Sequence, residues 1–228
     1  MRRFLAALLC LTVLMSLAAR ADVYESTMIL VNKQNCLPSH YEPSDLIRPD
    51  VTYAQGVPES RKQMREEAAH ALEDLFAAAL EEGIELQAIS GYRSYWTQRE
   101  IYERRLREAG LEHVSLYVAE PGKSEHQTGL AMDLGVEGCL DLTERFANTD
   151  AYRWLTEHAH EYGFIIRYPK DGVSETGYAF EPWHVRYLGA QAADVYESGL
   201  TLEAWYRQKL AGSRLLREKR FRLFDWFG

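Results

Sequence analysis

Apolar residues recur three and four positions apart between Glu59 and Glu82, at Met64, Ala68, Leu72, Leu75, Phe76, Ala79 and Leu80. That spacing predicts a helix with one buried stripe, and Gly83 stands where a C-terminal cap is expected. The period then falls to two: Ile84, Leu86 and Ala88 predict a strand over 84–89. Ser90-Gly91-Tyr92-Arg93-Ser94 is the turn that follows, with Ser94 placed to cap a helix that runs to about Ala109 and stops at Gly110. Residues 110–125 read as irregular, with Pro121-Gly122 marking a turn. Leu130 to Gly135 reads as a buried strand. Asn148-Thr149 caps a further helix carrying Tyr152, Leu155, Ala159 and Tyr162, closed by Gly163.

Phe164 to Tyr168 reads as another strand, Pro169 to Thr176 as a loop, and Gly177 to Tyr187 as an extended run. Pro182 has no backbone donor, which puts that run at a sheet edge or gives it a bulge. Two helical pieces follow, at about 190–197 and 201–211. Upstream, Met28 to Val31 reads as a short strand that leads into an extended wrap as far as residue 49. No internal repeat interrupts this order. The elements amount to an α+β fold.

A chain of 228 residues, 46% hydrophobic and 26% charged, suits one soluble globular domain. The formal net charge of −8 argues against nucleic acid and anionic membranes as general partners. Residues 1–21 stand apart from the fold. Arg2-Arg3, the apolar run Phe4 to Ala18 and Ala19-Arg20-Ala21 have the parts of a secretory signal, so the expected location is extracytoplasmic. The folded domain is then 22–212, and the tail 213–228 is basic and aromatic. Membrane contact is expected only through an uncleaved leader or that tail. Beyond the leader, Cys36 and Cys139 are an even pair in an oxidising compartment, which leaves a disulfide and two buried thiols both open.

The candidate chemistry sits in Lys123-Ser124-Glu125-His126-Gln127-Thr128-Gly129-Leu130-Ala131-Met132-Asp133 and in Glu181-Pro182-Trp183-His184. His126, Asp133 and His184 are two imidazoles and a carboxylate, a three-ligand set for Zn2+ with a position left for water. Glu181 is of the right type to take that water's proton. Fully extended, the chain from His126 to Asp133 would span roughly 23–25 Å, so both reach one ion only if it doubles back at Thr128-Gly129. Glu181 and His184 are three apart and face opposite sides of a regular strand, so they need a bend, or a reaching Glu side chain, to address one ion. Arg93, at a strand-to-helix turn, either meets an anion in a cleft or pairs with a surface acid, and Gln98 points the same way from the helix. His40 and His70 read as surface residues. His158 and His160, two apart on a helix, address different faces and are not a metal pair.

Glu-x-x-His alone carries no weight in a chain with seven His and many Glu. The wider pattern Ser-x-His-x-x-Gly-x-Ala-x-Asp, with five fixed positions, arises by accident with odds on the order of 10⁻⁴. Here the chain resembles the zinc D-alanyl-D-alanine carboxypeptidases of the VanY type, peptidase family M15, which trim bacterial cell-wall peptides. The resemblance rests on Ser90 to Ser94, Ser124 to Asp133, and Glu181 to His184 with Arg186-Tyr187, and it covers about residues 28–190. It implies a small antiparallel sheet with helices packed around it, zinc on His126, Asp133 and His184, and Glu181 as catalytic base. It also implies that Arg93 steadies the scissile carbonyl or the terminal carboxylate, with Ser124 and Gln98 helping to hold that carboxylate. The implied partners are peptidoglycan stem peptides, and the implied reaction is D-Ala-D-Ala cleavage. An L,D-carboxypeptidase acting on tetrapeptide stems, a peptidoglycan endopeptidase and a silent cell-wall-binding zinc protein are the competing readings.

Overall fold

The computed structural model describes residues 26–212. The expected leader over 1–21 and the tail over 213–228 lie outside the described residues. The site is built on a four-stranded antiparallel sheet: β3 (Gln87–Ser90), β4 (Ala131–Gly135), β5 (Phe164–Tyr168) and β6 (Glu181–Tyr187), in the order β3-β4-β6-β5. A two-stranded ribbon of β1 (Leu46–Ile47) and β2 (Met64–Arg65) stands beside it. The helices are α1 (Glu66–Glu81), α2 (Tyr95–Tyr117), α3 (Asp150–His158), the single turn α4 (Val173–Thr176) and α5 (Gln191–Ser198), with one more beginning at residue 202. The expected α+β fold is the one observed.

Alternation along the strands separates two faces. Met132 and Leu134 of β4, Val185 and Tyr187 of β6 and Phe164 of β5 join Ala68, Leu72, Leu75 and Ala79 of α1 and Ala151, Trp154 and Leu155 of α3 in the main core. Asp133, His184, Arg186 and Arg167 occupy the intervening positions and face the other way, where all four are buried. One face of the sheet therefore holds the fold together and the other carries charge.

Local differences from the sequence expectations have identifiable causes. The helix expected over 59–82 starts only at Glu66, because Met64 and Arg65 pair with Ile47 and Leu46 in the ribbon. The next helix does not stop at Gly110. It kinks there, where glycine takes φ 78° and ψ 169°, and resumes to Tyr117, so part of 110–125 is helical. Ser94 caps it as expected, accepting from the Thr97 amide at 3.2 Å. Met28 to Val31 form no strand, although Ile29 and Val31 are buried. The strand expected over 84–89 is confined to 87–90, and the loop expected over 169–176 contains the helical turn α4. Pro182 lies not at an edge but in β6, between β4 and β5, and the β5–β6 register shifts beside it, from Ile166↔Val185 to Tyr168↔Glu181. Cys36 is exposed, Cys139 is buried, and both are free thiols, which decides against the disulfide.

Candidate metal centre

Asp133 and His184 are brought together by strand pairing alone: they are directly opposite residues on β4 and β6. His126 arrives from a loop. A 3-10 turn over Glu125–Thr128 ends at Gly129, whose φ of +69° reverses the chain so that His126 sits above Asp133. A Cβ on Gly129 would lie 2.9 Å from Leu46 Cδ2 and 3.0 Å from Arg65 Cγ, so the expected bend is present at a position that excludes a side chain.

The three residues are buried, and their ligand atoms lie within 4.8 Å of one another. His126 Nε2 is 3.3 Å from Asp133 Oδ2, and His184 Nδ1 is 3.2 Å from Asp133 Oδ1. Ligands of a tetrahedral zinc at about 2.1 Å stand roughly 3.4 Å apart, close to these two separations, each of which runs to a different Asp133 oxygen. His126 Nδ1 is 2.8 Å from the Gly91 carbonyl and donates to it, which leaves Nε2 free to ligate. His126 Nε2 and Asp133 Oδ1 are buried without any hydrogen-bond partner, a costly arrangement that a cation would relieve. Two nitrogens and one oxygen, with no thiolate, fit a divalent metal site that keeps an open position.

Glu181 enters from the bulged start of β6, with Oε2 3.7 Å from His184 Nδ1. The bulge supplies the bend that places both side chains on one side. Burial pushes the Glu181 carboxyl up to about 7; Asp133 and Glu125 add to the rise, while His184 and Arg93 oppose it. Burial and the Arg93 charge push His126 down to about 4. Burial also opposes charge on His184, but the facing carboxylates of Asp133, Glu125 and Glu181 outweigh it and raise the ring to about 9. Asp133 stays below the usual carboxylate range, because both imidazoles outweigh its burial. The carboxylates around His184 thus favour a positive charge at this point.

Arg93 does not pair with a surface acid. Its side chain keeps only 16% of its exposure and points inward, with Nη2 3.5 Å from Asp133 Oδ2 and Nη1 donating to Gln98 Oε1 at 3.0 Å. Gln98 Nε2 donates in turn to the Ala119 carbonyl at 2.7 Å, which fixes the amide. Arg93, Gln98, Ser124, His126, Asp133, Glu181 and His184 all line one cavity of about 330 Å³, with Tyr168, Tyr178 and Trp183 among its walls. His40 is exposed, and His70 and His158 pair with Glu73 and Glu161 outside the site. His160 stacks on Tyr196 at 3.7 Å.

Sequence reasoning passed over Glu125. It is buried, receives Arg167 Nε at 2.7 Å and Arg186 Nη1 at 2.8 Å, and faces His184. Arg167 and Arg186 hold its carboxyl well below the usual range against its burial. Its place between Ser124 and His126 was visible, but nothing local marks a glutamate as buried.

A model of the VanY: D-alanyl-D-alanine carboxypeptidase family matches residues 61–190. The chain is 46% identical over 186 residues to YodJ of Bacillus subtilis (strain 168), covering 81% of this chain and 68% of YodJ. It is similar to the solved structure of the LdcB LD-carboxypeptidase with a TM-score of 0.76 and 45% identity, over 81% of this chain and 87% of that one. A mutant VanY D,D-pentapeptidase from a VanB-type vancomycin resistance cassette, solved in complex with Zn(II), matches with a TM-score of 0.65 and 35% identity, over 79% of this chain and 98% of that one. The chain therefore belongs to the VanY D-alanyl-D-alanine carboxypeptidase family.

Proposed function

We propose that this protein is a zinc-dependent carboxypeptidase that removes the C-terminal D-alanine from peptidoglycan stem peptides, working outside the cytoplasm. One observation carries the reading: three metal-ligating side chains, a buried carboxylate of raised pKa and an arginine line one cavity. His126, Asp133 and His184 would hold the ion. Zinc bound there supplies Lewis-acid polarisation and acidifies a water.

The rest of the chemistry falls to the chain's own residues. Glu181 takes the proton of the attacking water and passes it to the leaving amine. Arg93 donates to the oxygen that gains charge, or to the terminal carboxylate that an exopeptidase must recognise. Gln98 orients the guanidinium from behind, and Ser124 adds a hydroxyl to the cavity wall. The products are a shortened stem peptide and a free D-amino acid.

Cleavage of the L,D bond of tetrapeptide stems is the second reading, supported by the likeness to the LdcB LD-carboxypeptidase. Defined pentapeptide and tetrapeptide muropeptides separate the two when the products are weighed. We expect the pentapeptide to lose one alanine, a chelator to stop the reaction and zinc to restore it. Loss from the tetrapeptide alone transfers the assignment to the L,D reading. No release from either, with zinc present, overturns the peptidase reading.

A further inference from the structure

The three most deeply buried charged side chains among the described residues, Arg167, Arg186 and Glu125, are not among the metal ligands but pack around them. Arg167 and Arg186 are fully buried, and Glu125 and Glu203 retain 1% and 5% of their exposure. They form a chain of alternating sign. Arg167 Nη1 and Nη2 donate to Glu203 Oε2 and Oε1 at 2.9 and 2.5 Å, and Arg167 Nε donates to Glu125 Oε1 at 2.7 Å. Arg186 Nη1 donates to the same Glu125 oxygen at 2.8 Å. Arg186 Nη2 also donates to the carbonyls of Thr27 and Ile29, at 2.9 and 2.7 Å, and Asn32 Nδ2 donates to Glu203 Oε1 at 3.2 Å.

This arrangement spends two arginines on Glu125 Oε1 and leaves Oε2 over. Glu125 Oε2 and His184 Nε2 are both buried, neither has a hydrogen-bond partner, and they face each other at 3.5 Å. Hydrogen-bond reach is about 2.7–3.2 Å, so a movement of a few tenths of an ångström closes the contact. An imidazole that donates from Nε2 to this carboxylate presents the lone pair of Nδ1, the nitrogen that faces Asp133. Buried ion pairs contribute little net stability compared with apolar residues of the same volume, and here they fix a direction.

We propose that Glu125 is a positioning residue of the metal centre, aiming His184 Nδ1 at the ion. The same ion chain makes the segment at 27–32 and the helix that begins at residue 202 structural parts of that centre. Both lie outside the span 61–190 that the family model matches. The proposal rests on the zinc reading given above. Ligand-orienting carboxylates of this kind are worth about 10–100-fold in metal affinity.

The test uses the full chain, with zinc affinity measured by competition against a chromophoric chelator and the visible spectrum recorded after cobalt substitution. Glu125→Gln should weaken zinc binding by about 10–100-fold and alter the cobalt spectrum, with the circular dichroism of the metal-free protein unchanged. Glu203→Gln, one step further from the ligand, should weaken binding in the same direction by a smaller factor. A folded Glu125→Gln protein with parental affinity and spectrum overturns the proposal. Should that variant not fold, Glu203→Gln decides, and parental affinity there overturns it too. A parent protein that holds no zinc, or binds it equally well as His126→Ala, fails the metal reading itself and takes this proposal with it.

Discussion

Glu181 differs from Asp133 and Glu125 in which force wins at its carboxyl. For Glu125 the neighbouring arginines and for Asp133 the two imidazoles outweigh burial, whereas for Glu181 burial prevails and the group sits at about 7. A base poised there exchanges protons readily at neutral pH. Glu181→Gln should therefore keep zinc and lower kcat by about 10²–10⁴-fold, as measured by alanine release and metal content of the same sample. The working form is the carboxylate, so protonation removes it as pH falls. kcat/KM should drop about tenfold per pH unit below an apparent pKa no higher than about 7, because a cation in the site pulls the carboxyl down. Arg93 is held by Gln98 with its other nitrogen towards Asp133. Arg93→Ala should cost about 10²–10³-fold in kcat/KM, and the planar fork lost in Arg93→Lys should restore little of it.

At the scale of elements, two distortions make the site. The turn at Gly129 lifts His126 over Asp133, and the bulge at Pro182 lets Glu181 reach the side on which His184 lies. Gly129→Ala combines a left-handed backbone with contacts of 2.9 and 3.0 Å. It should destabilise the fold by about 1–3 kcal/mol, read as a lower denaturant midpoint, and reduce zinc affinity by displacing His126. Both distortions were legible, because Gly129 lies in a spacing that demands reversal and Pro182 cannot donate to a ladder. The choice between edge and bulge was not, since it depends on β5 arriving on the far side of β6. The helix boundaries failed for a related reason: Met64 fits the helical stripe by spacing, but pairing with Ile47 takes it into a strand.

Across the described residues, the apolar face of the sheet packs against the helices, while the charged face carries the metal-ligating side chains. An ion bound only by the native state adds about 2.7 kcal/mol when present at 100 times its Kd. For a chain of this size that is about 5–10 °C in Tm, so a chelator should lower the melting temperature by that amount. Free thiols give a second check. An alkylating reagent should label exposed Cys36 in the native protein and buried Cys139 only after denaturation, by mass spectrometry.

The fold class, most of the element order and the candidates His126, Asp133, His184 and Glu181 follow from periodicity, residue type and spacing, which are local properties of the chain, while Ser124 and the roles of Arg93 and Gln98 are what the family resemblance implied. The pairing of Asp133 with His184, the inward turn of Arg93 and the burial of Glu125 between Arg167 and Arg186 were decided by the tertiary structure. Each of these depends on residues dozens of positions apart meeting in a medium without water. There, a charge that looks like ordinary surface in the sequence must find its counter-charge.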